Sequence, residues 1–204
     1  SLNKLLIIIL FGVFYGPISA ESINKNNLFE FLNSKQHITT QFTQITTLDS
    51  KERKIQGKLM ANRSGQFKIE YFEPIRETIS ADGNFLYKLD IELEQLDIVP
   101  QEDYFEGTPI NLFTSSLEDL DKSYSVTSCK DLDDILTCMI KPRTEESFLE
   151  KLSISFLKDE LLYIQYADSF EQTVRLNFQK PLWTKFDESD LVLSVPEGID
   201  VVYH

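Results

Sequence analysis

The sequence predicts a mainly β protein in which about eleven antiparallel strands form one meandering sheet beside two helices. Two observations carry this prediction. Nearly everything between residues 38 and 179 consists of short runs rich in Thr, Ile, Phe, Tyr and Val, and turn residues separate these runs at close, regular intervals. The composition is that of an ordinary globular protein, with 42% hydrophobic and 26% charged residues in a chain of 204.

The predicted strands are close enough in sequence for hairpin connections. Ser64-Gly65 is a turn sequence between two runs, and Asp82-Gly83-Asn84 is the strongest hairpin signal in the chain. The sequence has no linker or repeat long enough to separate two domains, so we expect one domain over residues 21–204. The predicted strands are 38–48, 54–62, 66–72, 77–82, 85–91, 94–99, 123–129, 135–141, 151–158, 160–167 and 171–180.

Two segments have helical signals. Residues 22–36 predict one helix with a narrow apolar face. A shorter helix is predicted after Thr108, which would be its N-cap, with Pro109 at the first helical position. This second helix either covers a cavity or simply connects two strands over the core. Its predicted apolar face consists of Leu112, Phe113, Leu117 and Leu120.

The N-terminal residues resemble a secretory signal peptide. Lys4 precedes an apolar run over residues 5–15, and small residues lead to Ala20, after which we expect cleavage. A retained N-terminal anchor is the alternative. The sequence has no cysteine near this site, so we expect an exported protein that is not lipidated and is soluble.

Composition excludes several classes of function. The net charge of −13 argues against nucleic-acid binding, which needs a basic surface. The two histidines lie at opposite ends of the sequence, which argues against histidine-rich metal sites and most histidine-based catalytic sites. We expect no metal site, no cofactor and no catalytic residues. Cys129 and Cys138 flank a predicted hairpin, where an exported protein would form a disulfide. Two buried free thiols are the alternative.

Alternation along the strands predicts one apolar face. Arg63 ends this face, and a guanidinium buried there needs hydrogen-bond acceptors. A broad sheet curls, so the apolar face encloses either a cavity or a fully packed core, and periodicity does not distinguish them. The candidate cavity residues are Ile55, Leu59, Phe67, Ile69, Tyr71, Phe85, Tyr87 and Leu89, with Leu112 and Phe113 from the second helix.

Short motifs form an ordered set over most of residues 21–204. They are Gln41-Phe42-Thr43-Gln44, Gln56-Gly57-Lys58-Leu59, Arg63, Phe67 with Tyr71 and Pro74, Ile79-Ser80-Ala81-Asp82-Gly83 with Leu86-Tyr87, Leu93-Glu94-Gln95, Gly107-Thr108-Pro109 and Pro196-Glu197-Gly198-Ile199-Asp200-Val201. In this order and spacing they resemble the periplasmic outer-membrane lipoprotein carrier (LolA) family. Ser64 is a departure, because the family often has proline after the arginine.

The resemblance implies a single antiparallel, unclosed (half) β-barrel of about eleven strands with a helical lid. It implies a monomeric periplasmic carrier without cofactors, whose cavity takes the acyl chains of lipid-modified proteins. An inner-membrane ABC-type lipoprotein export complex would load the carrier, and an outer-membrane lipoprotein receptor would unload it. Arg63 matches the family's arginine that holds the lid closed through hydrogen bonds to the helices.

Two other functions remain open at this stage. A related half-barrel carrier or sensor of another amphiphile, such as a glycolipid or a fatty acid, would have the same predicted fold. A secreted hydrolase on an antiparallel sheet is a different class, but the sequence contains no Gly-x-Ser-x-Gly, His-Glu-x-x-His or nucleotide-binding loop. The identity of any bound amphiphile would distinguish the first two functions.

Overall fold

The computed structural model describes residues 21–72, 74–103, 108–145, 147, 149–168 and 170–204. The predicted signal peptide, residues 1–20, and Gly107 of the motif set lie outside these residues. The strands of the described part are β1 (His37–Leu48), β2 (Lys51–Asn62), β3 (Phe67–Tyr71), β4 (Glu77–Ala81), β5 (Phe85–Asp90), β6 (Gln95–Pro100), β7 (Tyr124–Leu132), β8 (Ile135–Pro142), β9 (Leu149–Leu157), β10 (Glu160–Asp168), β11 (Thr173–Leu182) and β12 (Asp200–Tyr203). The helices are α1 (Leu28–Ser34), α2 (Asn111–Thr114) and α3 (Leu117–Ser123).

The described strands form one sheet in the order β12-β6-β5-β4-β3-β2-β1-β11-β10-β9-β8-β7. Strands β7 and β12 are its two edges, so the sheet is unclosed. The predicted fold class is confirmed, with β12 as an addition. Strand β12 is short and pairs in parallel with β6, which is why strand periodicity and hairpin signals did not indicate it.

The hairpin between β4 and β5 has the predicted turn. The Asp82 Oδ1 atom accepts hydrogen bonds from the N–H groups of Asn84 and Phe85, both at 2.8 Å. Gly83 has a φ of +104°, a backbone conformation that favours glycine over other residues. The Asp82-Gly83-Asn84 sequence therefore forms the predicted turn, because the aspartate side chain binds the turn backbone and the glycine adopts a positive φ.

The helices differ from their predicted extents. Helix α1 begins at Leu28, whereas the prediction began at residue 22. The second predicted helix is divided into α2 and α3, and α2 begins at Asn111 rather than after Thr108. Ser116 causes the division, because its extended backbone and its Oγ atom, which accepts from the Asp119 N–H at 3.2 Å, form a new N-cap.

The helices pack against the concave face of the sheet. Two edge-to-face ring pairs join them to it: Phe31 of α1 with Phe156 of β9, and Phe113 of α2 with Phe178 of β11, at centroid distances of 5.6 and 5.8 Å. The helix residues that are fully buried in this core are Leu28, Leu32, Leu112 and Leu120. The core therefore depends on helices that cover only part of the sheet.

The predicted face of β5 is wrong. Phe67 faces the core and lies opposite Ala81, which in turn lies opposite Leu86, so Leu86 is the β5 residue on the concave face. The alternating residues Phe85, Tyr87 and Leu89 therefore lie on the convex face.

The segment after β11 explains why these apolar β5 residues lie on the convex face. Tyr87 and Leu96 line a groove on the convex face together with Leu191 and Val195. The buried Ser80 Oγ atom donates a hydrogen bond of 2.6 Å to the Leu191 carbonyl, which attaches this segment to β4. A sheet that is covered on both faces needs apolar residues on both, so alternation alone does not tell which face of β5 is concave.

Cys129 of β7 and Cys138 of β8 lie directly opposite each other and form a disulfide. Cys138 is fully buried in the core. The bond joins β8 to β7, the strand at the open edge of the sheet, where one side of the strand has no neighbour.

We expect the Cys129→Ala/Cys138→Ala double variant to lose about 2–3 kcal/mol of unfolding free energy, because a loop with a sequence separation of 9 is no longer closed in the unfolded chain. Urea unfolding followed by circular dichroism measures the loss. A reductant should destabilise the wild-type protein by a similar amount and leave the double variant unchanged. Equal stability of all four samples would contradict this structural role.

Candidate functional site

Arg63 lies immediately after β2, in a turn held by two amide side chains. Asn62 Oδ1 accepts from the Ser64 and Gln66 N–H groups at 3.0 and 3.2 Å, and Asn62 Nδ2 donates to Gln66 Oε1 at 2.8 Å. Proline at position 64 could not donate the first of these bonds. Here the hydrogen bonds of Asn62 hold the backbone around Arg63, whereas the family that the sequence resembles often has a proline at position 64.

The guanidinium of Arg63 joins α1 and α2 to the end of β2. Its Nη2 and Nε atoms donate to the carbonyls of Leu32 and Lys35 at the C-terminal end of α1, at 2.6 and 3.2 Å. Its Nη1 atom donates to the carbonyls of Leu112 in α2 and Ser115 just after it, at 2.8 and 3.0 Å. The last carbonyls of a helix have no N–H partner one turn further along, so they have capacity to accept these bonds; the Leu32 carbonyl also accepts the Lys35 N–H at 3.0 Å.

All four acceptors of Arg63 are neutral main-chain carbonyls. Burial lowers the pKa of the Arg63 guanidinium to about 10, because desolvation penalises the charged form. The pKa stays well above neutral pH, so the group keeps its charge. Each hydrogen bond to a charged group contributes about 1.5–3 kcal/mol, so the cluster holds the two helices firmly.

A cavity of about 280 Å³ lies between α2 and the concave face. The segment 108–113 forms one wall, and strands β1, β2, β3, β10 and β11 form the other. The lining residues are Phe42, Gln44, Leu59, Ile69, Tyr71, Thr108, Pro109, Ile110, Phe113, Ile164, Tyr166, Leu176 and Phe178. Among these described residues no side chain is ionised at neutral pH, so the cavity is suited to an uncharged, mainly apolar occupant.

The sequence-predicted cavity residues divide into three groups. Leu59, Ile69, Tyr71 and Phe113 line the cavity. Ile55, Phe67 and Leu112 are buried but are not part of its lining. Phe85, Tyr87 and Leu89 lie on the convex face, for the reason given above, and are removed from the candidate site.

Sequence reasoning missed the half of the cavity wall that β10 and β11 provide. Both strands were predicted, but their faces were not assigned. Alternation would have placed Ile164 with Tyr166 in β10, and Leu176 with Phe178 in β11. The pairing of β1 with β11 is what brings these residues opposite the QFTQ motif, and a pairing between strands so far apart in sequence leaves no local signal.

Gly57 lets two aromatic rings meet in the cavity wall. A Cβ atom at this position would lie 2.6 Å from Phe42 Cζ and 2.7 Å from the Glu70 carbonyl oxygen. Gly57 lies opposite both Phe42 and Tyr71 in the sheet, and the rings of these residues meet edge to face above it at 5.9 Å. A side chain at position 57 would displace the Phe42 ring, which lines the cavity.

The described residues contain no cluster of three or more His, Cys, Asp or Glu residues that could hold a metal ion. None of the helices in this part of the chain is long and apolar enough to cross a membrane.

Comparison with known proteins gives consistent matches. The family described as "Outer membrane lipoprotein carrier protein LolA" matches residues 33–189. Outer-membrane lipoprotein carrier proteins of Methylobacillus flagellatus and Chromohalobacter salexigens are 25% and 28% identical to the chain, and the alignments cover 91% and 90% of it and 92% and 88% of the relatives. An uncharacterized conserved protein of Thermus thermophilus has the same fold, with a TM-score of 0.56, 13% identity and coverage of 88% of this chain and 98% of that one.

An unclosed antiparallel sheet that wraps around helices and a cavity without ionised side chains among its described lining residues defines a half-barrel protein. The match over residues 33–189 shows the family of this half-barrel protein: the chain belongs to the outer membrane lipoprotein carrier protein family, LolA. This is a family of periplasmic lipoprotein carriers, not of enzymes.

We expect the Gly57→Ala variant to be destabilised by about 1–3 kcal/mol, because the added methyl group overlaps the Phe42 ring and the Glu70 carbonyl. Urea unfolding monitored by fluorescence measures the change. Adding Phe42→Leu to this variant removes the ring overlap and should recover part of the loss. A Gly57→Ala protein with the unfolding midpoint of the wild type would show that the wall is not tightly packed here.

Proposed function

We propose that this protein is a periplasmic carrier that binds the acyl chains of lipid-modified proteins in the cavity beneath α2. The observation that carries the proposal is the Arg63 cluster, which fastens α1 and α2 to the end of β2 while α2 forms one wall of a cavity whose described lining residues include no ionised side chain. Such a cluster suits a lid that must close and open again. The Methylobacillus flagellatus and Chromohalobacter salexigens relatives are both named outer-membrane lipoprotein carrier proteins, which supports the same cargo.

The size of the cavity favours a closed state without cargo. Ligand cavities usually measure about 300–1,000 Å³, and the cavity of 280 Å³ lies just below that range. It offers room for part of an acyl chain while the helices stay in place. Deeper insertion requires α2 to move, which breaks the bonds between Arg63 and the carbonyls of Leu112 and Ser115.

The two opposing free energies have similar size. Sheltering an acyl chain from water is worth about 0.8 kcal/mol per methylene group, so about ten methylenes contribute on the order of 8 kcal/mol. Movement of α2 breaks two hydrogen bonds, those to Leu112 and Ser115, and at about 1.5–3 kcal/mol each they oppose opening by about 3–6 kcal/mol. A lid whose closing free energy offsets much of the acyl-chain binding free energy keeps cargo binding reversible. A small additional free energy from a partner protein then decides whether cargo is loaded or released.

Because cargo binding and lid closure have comparable free energies, partner proteins can load the carrier and unload it. An inner-membrane ABC-type export complex would load the carrier by supplying a lipoprotein whose acyl chains displace the lid. An outer-membrane lipoprotein receptor with a more apolar site would unload it, and lid closure would prevent return. The carrier itself would use no nucleotide.

We expect carrier purified from the periplasm to contain acylated polypeptide, and depletion of the carrier to leave lipoproteins in the inner membrane. Mass spectrometry of the extracted ligand and membrane fractionation measure the two outcomes. A free glycolipid or fatty acid in place of acylated polypeptide would favour a carrier or sensor of another amphiphile. Normal delivery of lipoproteins after depletion would refute the proposal.

We expect Arg63→Leu to load lipoprotein normally but to transfer it at least tenfold more slowly, because the closed state that competes with cargo loses its hydrogen bonds. Transfer from the purified loaded carrier to receptor-containing vesicles measures the rate. Arg175→Leu is the matched control, since Arg175 lies on the convex face of β11 and stacks on Tyr163. Unchanged transfer by Arg63→Leu would remove Arg63 from the lid mechanism.

A further inference from the structure

The wall of the cavity contains a small polar cluster. Two tyrosines, Tyr71 of β3 and Tyr166 of β10, lie on opposite sides of the cavity and are close enough to interact electrostatically. Gln44 of β1, between them in the sheet order, contributes an amide. Within the described residues the Gln44 Nε2 atom donates to Thr46 Oγ1 at 3.3 Å, while neither phenol hydroxyl has a hydrogen-bond partner.

Both hydroxyls are open to the cavity, since no fully buried side-chain nitrogen or oxygen of the described residues lacks a hydrogen-bond partner, so each can donate to an occupant. Burial raises the pKa of Tyr166 to about 12 and that of Tyr71 further still, so both phenols stay protonated at neutral pH and act as neutral donors. Donors of this kind match an uncharged carbonyl acceptor.

We propose that Tyr71, Tyr166 and Gln44 form a hydrogen-bonding subsite for the ester and amide carbonyls that join acyl chains to the cargo. The cavity would thus recognise carbonyl-linked chains and discriminate against free fatty acids. This inference rests on the proposed function and names the chemical group that the site selects.

The charges around the subsite support the discrimination. The nearest ionisable groups that act on the two phenols are carboxylates, Glu77 beside Tyr71 and Asp168 beside Tyr166. Glu77 is paired with Lys88 at 3.2 Å, and Asp168 Oδ1 accepts from the Phe170 and Gln172 N–H groups, both at 2.9 Å. A fatty-acid carboxylate would enter without a cation among the lining residues, and an unpaired charge in a desolvated site costs several kcal/mol.

The test compares three ligands of equal chain length: 1-palmitoylglycerol, its ether analogue 1-hexadecylglycerol, and palmitate. The ether lacks only the carbonyl. Displacement of a fluorescent apolar dye from the full-length mature protein at pH 7 measures each affinity. We expect the ester to bind about three- to tenfold more tightly than the ether, and at least tenfold more tightly than palmitate.

The variant Tyr71→Phe/Tyr166→Phe removes two hydroxyl groups and keeps both rings, so it should bind ester and ether equally and bind the ether as the wild type does. Tyr163→Phe is the matched control, because Tyr163 lies on the convex face of β10 beneath Arg175, and it should keep the ester preference.

The outcomes separate this inference from the proposed function. If the wild type binds ester and ether equally, or if the double variant keeps the ester preference, the subsite is refuted while the carrier function stands. If Tyr163→Phe loses the preference as well, the subsite assignment is also refuted. If the wild type binds none of the three ligands, both the subsite and the proposed carrier function fail.

Discussion

The hydrogen bonds of the Arg63 guanidinium are the interaction on which the rest of the site depends. They connect the end of β2 to the C-terminal carbonyls of α1 and α2, and α2 forms one wall of the cavity. The position of α2 therefore sets the volume of the cavity. The same helix is held on its other side by the ring of Phe113 against Phe178, so an occupant must displace both a polar and an apolar contact.

The two faces of the curved sheet have different packing partners. On the concave face, the missing side chain of Gly57 allows Phe42 and Tyr71 to meet, which brings aromatic groups from β1 and β3 into one lining. On the convex face, the segment around Leu191 packs along β4 and β5, and β12 extends the edge beyond β6. The N-terminal half of the sheet thus has an apolar layer on each side, and the cavity of the candidate site lies on the concave side, where α2 provides the cover.

The sequence was sufficient for features with local causes. The alternation in β2 and β3 placed Leu59, Ile69 and Tyr71 correctly, and it placed Arg63 at the end of an apolar face, where the structure supplies the expected helix-end carbonyls. It was insufficient where a distant segment decides the outcome. Tyr87 is on the convex face because residues near Leu191 cover that side, and Tyr166 lines the cavity because β11 pairs with β1. Neither contact changes the residue pattern within one strand. Periodicity therefore predicts that a strand has an apolar face, but not which part of the protein covers that face.

The choice of acceptors explains how a lid of this kind stays reversible. Had Arg63 been paired with a buried carboxylate, opening would separate two charges, and closing would require both to lose their water. With main-chain carbonyls as acceptors, the guanidinium is the one charge that loses water on closing, and opening separates no second charge from it. When α2 moves, the guanidinium and the carbonyls both regain water, so part of the lost hydrogen-bond free energy is recovered in the open state. In the proposed carrier, such a lid would be strong enough to keep the empty cavity closed and weak enough for an acyl chain to displace it. A reversible carrier needs this combination, because a tighter lid would exclude the cargo and a looser one would not return it.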